Sequence, residues 1–184
     1  MKKIWIGLLT GMLIAGTVAC GPYVTEGTAN TYRTDVSTQD LKTAVAEELG
    51  ENYWPNMPLG EAELEGLIGV KADLYEEAAA EMPMISTNVD MLLIIKAKEG
   101  KAQEVTDAVN KYRDAMVSDT MQYPMNLGKI QASMVETYGN YVCFVQLGGD
   151  AVDAADQGEE AVIKACKEDN QKALDIIKEA LTAK

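Results

Sequence analysis

The chain has 184 residues, 47% of them apolar and 24% charged, with a formal net charge of −13. That length and apolar fraction suit one domain with its own core and no disulfide scaffold. The acidic balance excludes nucleic acid as a partner, since phosphate backbones recruit Lys and Arg; the absence of histidine removes the usual general base near neutral pH and the commonest zinc ligand.

The N-terminus reads as a targeting segment. Lys2 and Lys3 precede an apolar run from Ile4 to Val18, too short for a comfortable membrane span but suited to a secretory signal over residues 1–19. The stretch Thr17-Val18-Ala19-Cys20-Gly21 is similar to the lipobox of bacterial lipoproteins, apart from Thr17 where that pattern prefers Leu. The resemblance implies that the Cys20 thiol receives a diacylglyceryl group and that the leader is cut before it. Cys20 then begins a protein held on the outer face of the cell membrane. The alternative is a secreted protein cut near Ala19, with Cys20 incidental. Losing Lys2 and Lys3 takes the net charge from −13 to −15. Residues 20–37 are small, polar and Thr-rich, and read as a flexible tether with a typical span of about 20–25 Å. Residues 38–184 then form a single globular domain.

Within that domain Ser37 with Asp40 marks a helix start, and Leu41, Ala44, Val45 and Leu49 continue it to Gly50. A Pro-punctuated loop follows, with one helical turn over 61–67, and residues 70–81 read as a strand. Residues 90–98 are apolar on both faces and read as a central strand. A helix over 101–117 carries Val105, Val109 and Tyr112 inward. The stretch 118–128 links it to a strand over 129–137, in which Ile130, Ala132 and Met134 alternate with polar residues. Tyr138-Gly139-Asn140 turns the chain into a strand over 141–147. Residues 148–158 read as a linker, and a helix over 159–182 points Val162, Cys166, Ala173 and Ile177 one way.

This order predicts an α+β fold: a four-stranded antiparallel sheet with helices on one face, a permuted ferredoxin-like αββαββ arrangement plus a C-terminal helix. Leu92, Ile94, Val142 and Phe144 are expected on the face opposite Leu93, Ile95, Cys143 and Val145. Unless the last helix covers it, that face predicts a homodimer through the sheet.

The segments Asn52–Leu59, Ala80–Val109 and Tyr138–Gln146 resemble an uncharacterised domain-of-unknown-function family of small predicted lipoproteins from Gram-positive anaerobes of the Firmicutes and Clostridia type. The resemblance covers roughly residues 40 to 150. It implies an extracytoplasmic lipoprotein and assigns no catalytic residue.

Alternating strand directions bring the connections 82–89, 118–128 and 148–157 to one end of the sheet. Met84, Ser86, Asn88, Asp119, Tyr123 and Asn126 on them form a candidate binding rim for a protein or small-molecule partner. The competing reading is three ordinary loops. Met82, Met84, Met121 and Met125 fit core filling better than copper(I), and Asp150, Asp153 and Asp156 lack calcium-loop spacing, so neither metal nor cofactor is expected. Tyr53 and Trp54 are either an aromatic patch or a cap on the core. Cys143 and Cys166 either pair across the core or remain buried thiols. With no Gly-rich phosphate loop, Cys-x-x-Cys pair or His-Glu-x-x-His helix, the expectation is a non-enzymatic binding domain. The alternative is a hydrolase or transferase built on carboxylates alone.

Overall fold

The computed structural model describes residues 32–149 and 151–182. The leader, Cys20 and Asp150 lie outside the described residues. Helix α1 (Thr38–Leu49) starts where Ser37 signals it, the Ser37 hydroxyl accepting the Asp40 amide at 3.0 Å. Glu77 reaches across from the sheet and accepts the amide and hydroxyl of Thr38 at 2.8 and 2.9 Å. These acceptors satisfy amides that a helix start leaves without intrahelical partners. Strand β1 (Met57–Pro58) and helix α2 (Glu61–Glu63) follow, and α2 runs on as a wider π turn over Leu64–Ile68. Next come β2 (Tyr75–Met82), β3 (Met91–Ala97), α3 (Ala102–Ser118), α4 (Pro124–Ala132), β4 (Met134–Tyr138) and β5 (Tyr141–Gln146). A single turn, α5 (Ala151–Ala154), precedes the long α6 (Glu159–Leu181).

The strands form one five-stranded sheet in the order β1-β2-β3-β5-β4, with every neighbouring pair antiparallel. Leu92, Ile94, Cys143 and Val145 project from one face and bury against Leu41 and Val45 of α1 and Leu174 and Ile177 of α6. Leu93, Ile95, Val142 and Phe144 project from the other and bury against Val105 and Val109 of α3 and Leu64 and Ile68 of the π turn. Two apolar layers thus form, one on each side of β3 and β5, and both are complete within residues 32–182.

The α+β class holds, with several corrections to the sequence reading. The sheet has five strands, because Met57–Pro58 pairs with Met82 and Glu81 at the edge. Two residues are too few to show an alternation, and a proline that cannot donate fits only such an edge. The helices lie on both faces, not one. In the observed register Leu92 faces Val145 and Ile94 faces Cys143, which puts these four on one side and sends Val142 and Phe144 to the other. Both faces are covered within the chain, so the sheet leaves no bare face of the kind that suggested a homodimer. Residues 124–132 are helical, and β4 begins only at Met134. Pro124 at the first helical position and Asn126, Lys129 and Ile130 at helical spacing on the buried side explain that choice. The expected linker contains α5 and a 3-10 turn over Ala155–Gln157. Part of the expected tether is also fixed: the Arg33 amide donates to the Leu181 carbonyl at 2.8 Å, and the Val36 carbonyl accepts from the Tyr141 hydroxyl at 2.6 Å.

Candidate functional site

The connections at residues 50–56, 83–90, 119–133 and 147–158 meet at the end of the sheet where β3 begins and β5 ends. Between them lies a cleft of about 990 Å³, walled by apolar side chains that include Trp54, Ile85, Pro124, Met125, Leu127 and Val162. Helix α4 makes one wall. The Asn126 side chain is buried and donates to the Thr87 carbonyl at 3.0 Å, which ties α4 to the connection between β2 and β3. Gly128 lets α4 approach α6, since a methyl there would stand 2.6 Å from Val162 Cγ1. Asn170 of α6 fixes the junction from behind. It accepts the Leu147 amide at 2.8 Å and donates to the Ala132 carbonyl at 2.9 Å, so a polar residue in the core has its demands met.

Lys129 supplies the polar floor. Its ammonium donates to Asp90 Oδ1 at 2.5 Å and to Asn88 Oδ1 at 3.2 Å, and lies 5.4 Å from the centroid of the Trp54 ring. Asn88 also accepts the Asp90 amide at 2.9 Å, which bends the chain so that the carboxylate enters the core. Asp90 is wholly buried, and burial pushes its carboxyl above the ordinary value against the pull of the Lys129 ammonium. Burial also pushes the nearby Cys166 thiol up to about 11. Beside the cleft, the Tyr53 hydroxyl donates to Glu81 at 3.0 Å, and Glu81 is paired with Lys42. Burial first, and then the Glu81 charge, raise the Tyr53 phenol well above its usual range.

The arrangement is a pocket with apolar walls over a neutralised charge pair. It can bury an apolar body, while the Lys129–Asp90 pair fixes the floor. Among the described lining residues one carboxylate, Glu159, faces the cleft. A larger groove of about 1360 Å³ runs between α1 and α6, but charged side chains such as Glu48, Glu168 and Lys172 line it on the outside of both helices. Its size carries less weight than the converging buried polar groups of the smaller cleft. No group of three or more Cys, Asp or Glu side chains is placed to hold a metal among the described residues.

Of the six rim residues read from the sequence, Asn88 and Asn126 line the cleft. Met84, Ser86, Asp119 and Tyr123 are exposed on the flanking connections and outside the lining. Asp119 shapes its own turn, accepting the Met121 amide at 2.9 Å and the Gln122 side chain at 2.7 Å. Trp54 is both half-exposed and part of the wall. Cys143 and Cys166 are buried free thiols. Sequence reasoning missed Lys129, Asp90 and Asn170. Their signal was a cation one helical turn after Asn126, an acid immediately before an all-apolar strand, and a polar residue on the inner side of the last helix.

A family comparison matches residues 48–147, from the end of α1 through β5. The chain belongs to the family described as a domain of unknown function, DUF4358. The matched segment carries three sides of the cleft, while residues 148–162, which close the fourth, lie beyond it. No curated protein and no solved structure matches the chain.

Proposed function

We propose that the chain is an extracytoplasmic lipoprotein, held by lipidated Cys20 on the outer face of the cell membrane, whose folded domain is a non-enzymatic binding module using the cleft. The observation that carries the binding role is the convergence of four connections on one apolar-walled cavity with a fixed, neutralised polar floor. Ligand sites combine these features: a largely apolar concavity with a few polar groups held rigidly in place. The alternative, a hydrolase or transferase built on carboxylates, needs two such groups facing one ligand; Glu159 alone does so among the described lining residues. No helix among the described residues is long and apolar enough to cross a membrane. Anchoring in this reading therefore rests on Cys20 and its lipobox.

The test of the binding role is thermal unfolding of residues 20–184, with Cys20→Ser, against a panel of peptides, amphiphiles and glycans. A parallel variant, Ala155→Trp, fills the cleft from its exposed wall. Ligands that raise the Tm of the first protein and not of the second place binding in the cleft. A panel that raises neither, or raises both equally, contradicts it.

A further inference from the structure

The cleft opens onto a wider apolar surface. Met84, Ile85, Met121, Tyr123 and Met125 are 57 to 89% exposed, and all five lie on the two connections that flank it. These connections are neighbours in space. The Asn56 side chain accepts the Met84 amide at 3.0 Å beside Trp54, and Asn126 bonds to Thr87 from the other side. Folded chains seldom leave contiguous apolar surface of this kind bare, and methionine-rich surfaces adapt to apolar side chains of varied shape. The charges around it have one sign. In the segments 50–56, 83–90, 119–129 and 148–162, every exposed charge among the described residues is acidic: Glu51, Asp119, Asp153, Asp156, Glu159 and Glu160. Lys129, the cation there, is buried and paired with Asp90.

We infer that this surface docks a basic amphipathic peptide segment of another protein, its apolar side chains entering the cleft and its Lys or Arg residues facing the acidic rim. Charge complementarity favours a cationic partner over an anionic one. A small organic cation would fill the cleft yet leave Met84, Met121 and Tyr123 uncovered, since these stand outside its lining. Anionic lipids of the anchoring bilayer meet an acidic rim of the same sign. The described chain begins at the opposite pole, where Tyr32 bridges to Thr182 and packs on the Tyr138 ring at 5.5 Å. Helix α6 runs from there to Glu159 at the cleft, and its 23 residues span about 34 Å at 1.5 Å per residue. The attachment end at Tyr32 and the cleft thus lie at opposite ends of α6. The inference rests on the proposed reading of the cleft as a binding site.

Residues 20–184 contain one tryptophan, Trp54, because Trp5 lies in the leader. Its emission therefore reports on the cleft wall. Four probes are titrated into the Cys20→Ser protein: an amphipathic Leu/Lys peptide, its Leu/Glu counterpart, dodecyltrimethylammonium, and vesicles of anionic phospholipid. The expected result is a saturable change with the Leu/Lys peptide that weakens as salt rises. In Ile85→Ser/Met125→Ser, which alters exposed side chains and no charge, affinity falls roughly tenfold or more. Equal binding to that variant means the peptide rides on net charge alone and overturns the inference. A response to the Leu/Glu peptide, the small cation or the vesicles, without one to Leu/Lys, leaves a binding cleft but overturns the basic peptide as its occupant. Silence from all four overturns the inference, and the Ala155→Trp comparison decides the binding role separately.

Discussion

Replacing Lys129 with Met makes the stability of this fold steeply pH-dependent. Asp90 is wholly buried, and the Lys129 ammonium supports it at 2.5 Å. Methionine keeps most of the lysine's apolar stem, so the packing beneath Trp54 survives while the charge is lost. A buried carboxylate without a counter-charge takes up a proton instead of remaining ionised. Holding that proton at pH 7 on a carboxyl with an ordinary value of 3.8 costs at most about 4 kcal/mol, at ~1.4 kcal/mol per pH unit. At pH 4.5 the same step costs only ~1 kcal/mol. Burial already raises the folded pKa of Asp90, and removing the ammonium raises it further. A raised carboxyl pKa gives stability that is fully present below the unfolded value and lost as pH rises through the folded one. The variant is therefore expected to unfold about 3–4 kcal/mol more easily than the parent at pH 7, and by roughly 1 kcal/mol or less at pH 4.5. Urea unfolding followed by Trp54 emission measures both. Equal losses at the two pH values would refute the buried-charge reasoning and point to lost packing. Lys129→Met/Asp90→Asn should abolish the difference between them.

Glu77→Ala removes the acceptor for the Thr38 amide and hydroxyl and should cost about 1–2 kcal/mol, seen as a lower urea midpoint at unchanged slope. In Gly149→Ala the new methyl would stand 2.3 Å from the Asn52 carbonyl oxygen, so a loss of about 2 kcal/mol or more is expected. Gly66→Ala meets nothing within 4 Å and should be neutral or stabilising by up to ~1 kcal/mol; the same unfolding assay orders the two variants. Cys143 and Cys166 are buried, and burial raises both thiols, Cys166 to about 11. In the Cys20→Ser protein at pH 8, iodoacetamide should label neither cysteine before denaturation and both after it; rapid labelling of the native state would contradict their burial.

The elements that the sequence announced are those with strong local signals. α1 has Ser37 before a four-residue apolar spacing, β3 has an apolar run on both faces, and α6 has a long periodic stripe. The convergence of the connections at one end also followed from strand alternation, before any side chain was placed. What escaped depended on long-range partners. Ile130, Ala132 and Met134 alternate like a strand, yet Pro124 and the buried contacts of Asn126 and Lys129 make the first two helical. The facing of Val142 and Phe144 turned on a register that hydrophobicity does not encode when Tyr141 to Val145 of β5 are all apolar and every position of the strand is buried. Strand β1 is two residues long, below any periodicity. Of the site, Asn88 and Asn126 were legible as polar residues on turn-forming segments. Lys129 and Asp90, thirty-nine residues apart in the chain, become a pair only when α4 docks on α6 beside the connection that leads into β3.

The most direct test of the central claim uses the native cell envelope. A photoreactive phenylalanine analogue replaces Met125 at the cleft, and a control replaces Lys111 on the exposed side of α3. The account predicts a crosslink from position 125, and not from 111, to a Lys- or Arg-rich segment of another protein, located by mass spectrometry. Adducts to phospholipid, equal crosslinking from both positions, or no adduct at 125 would contradict it.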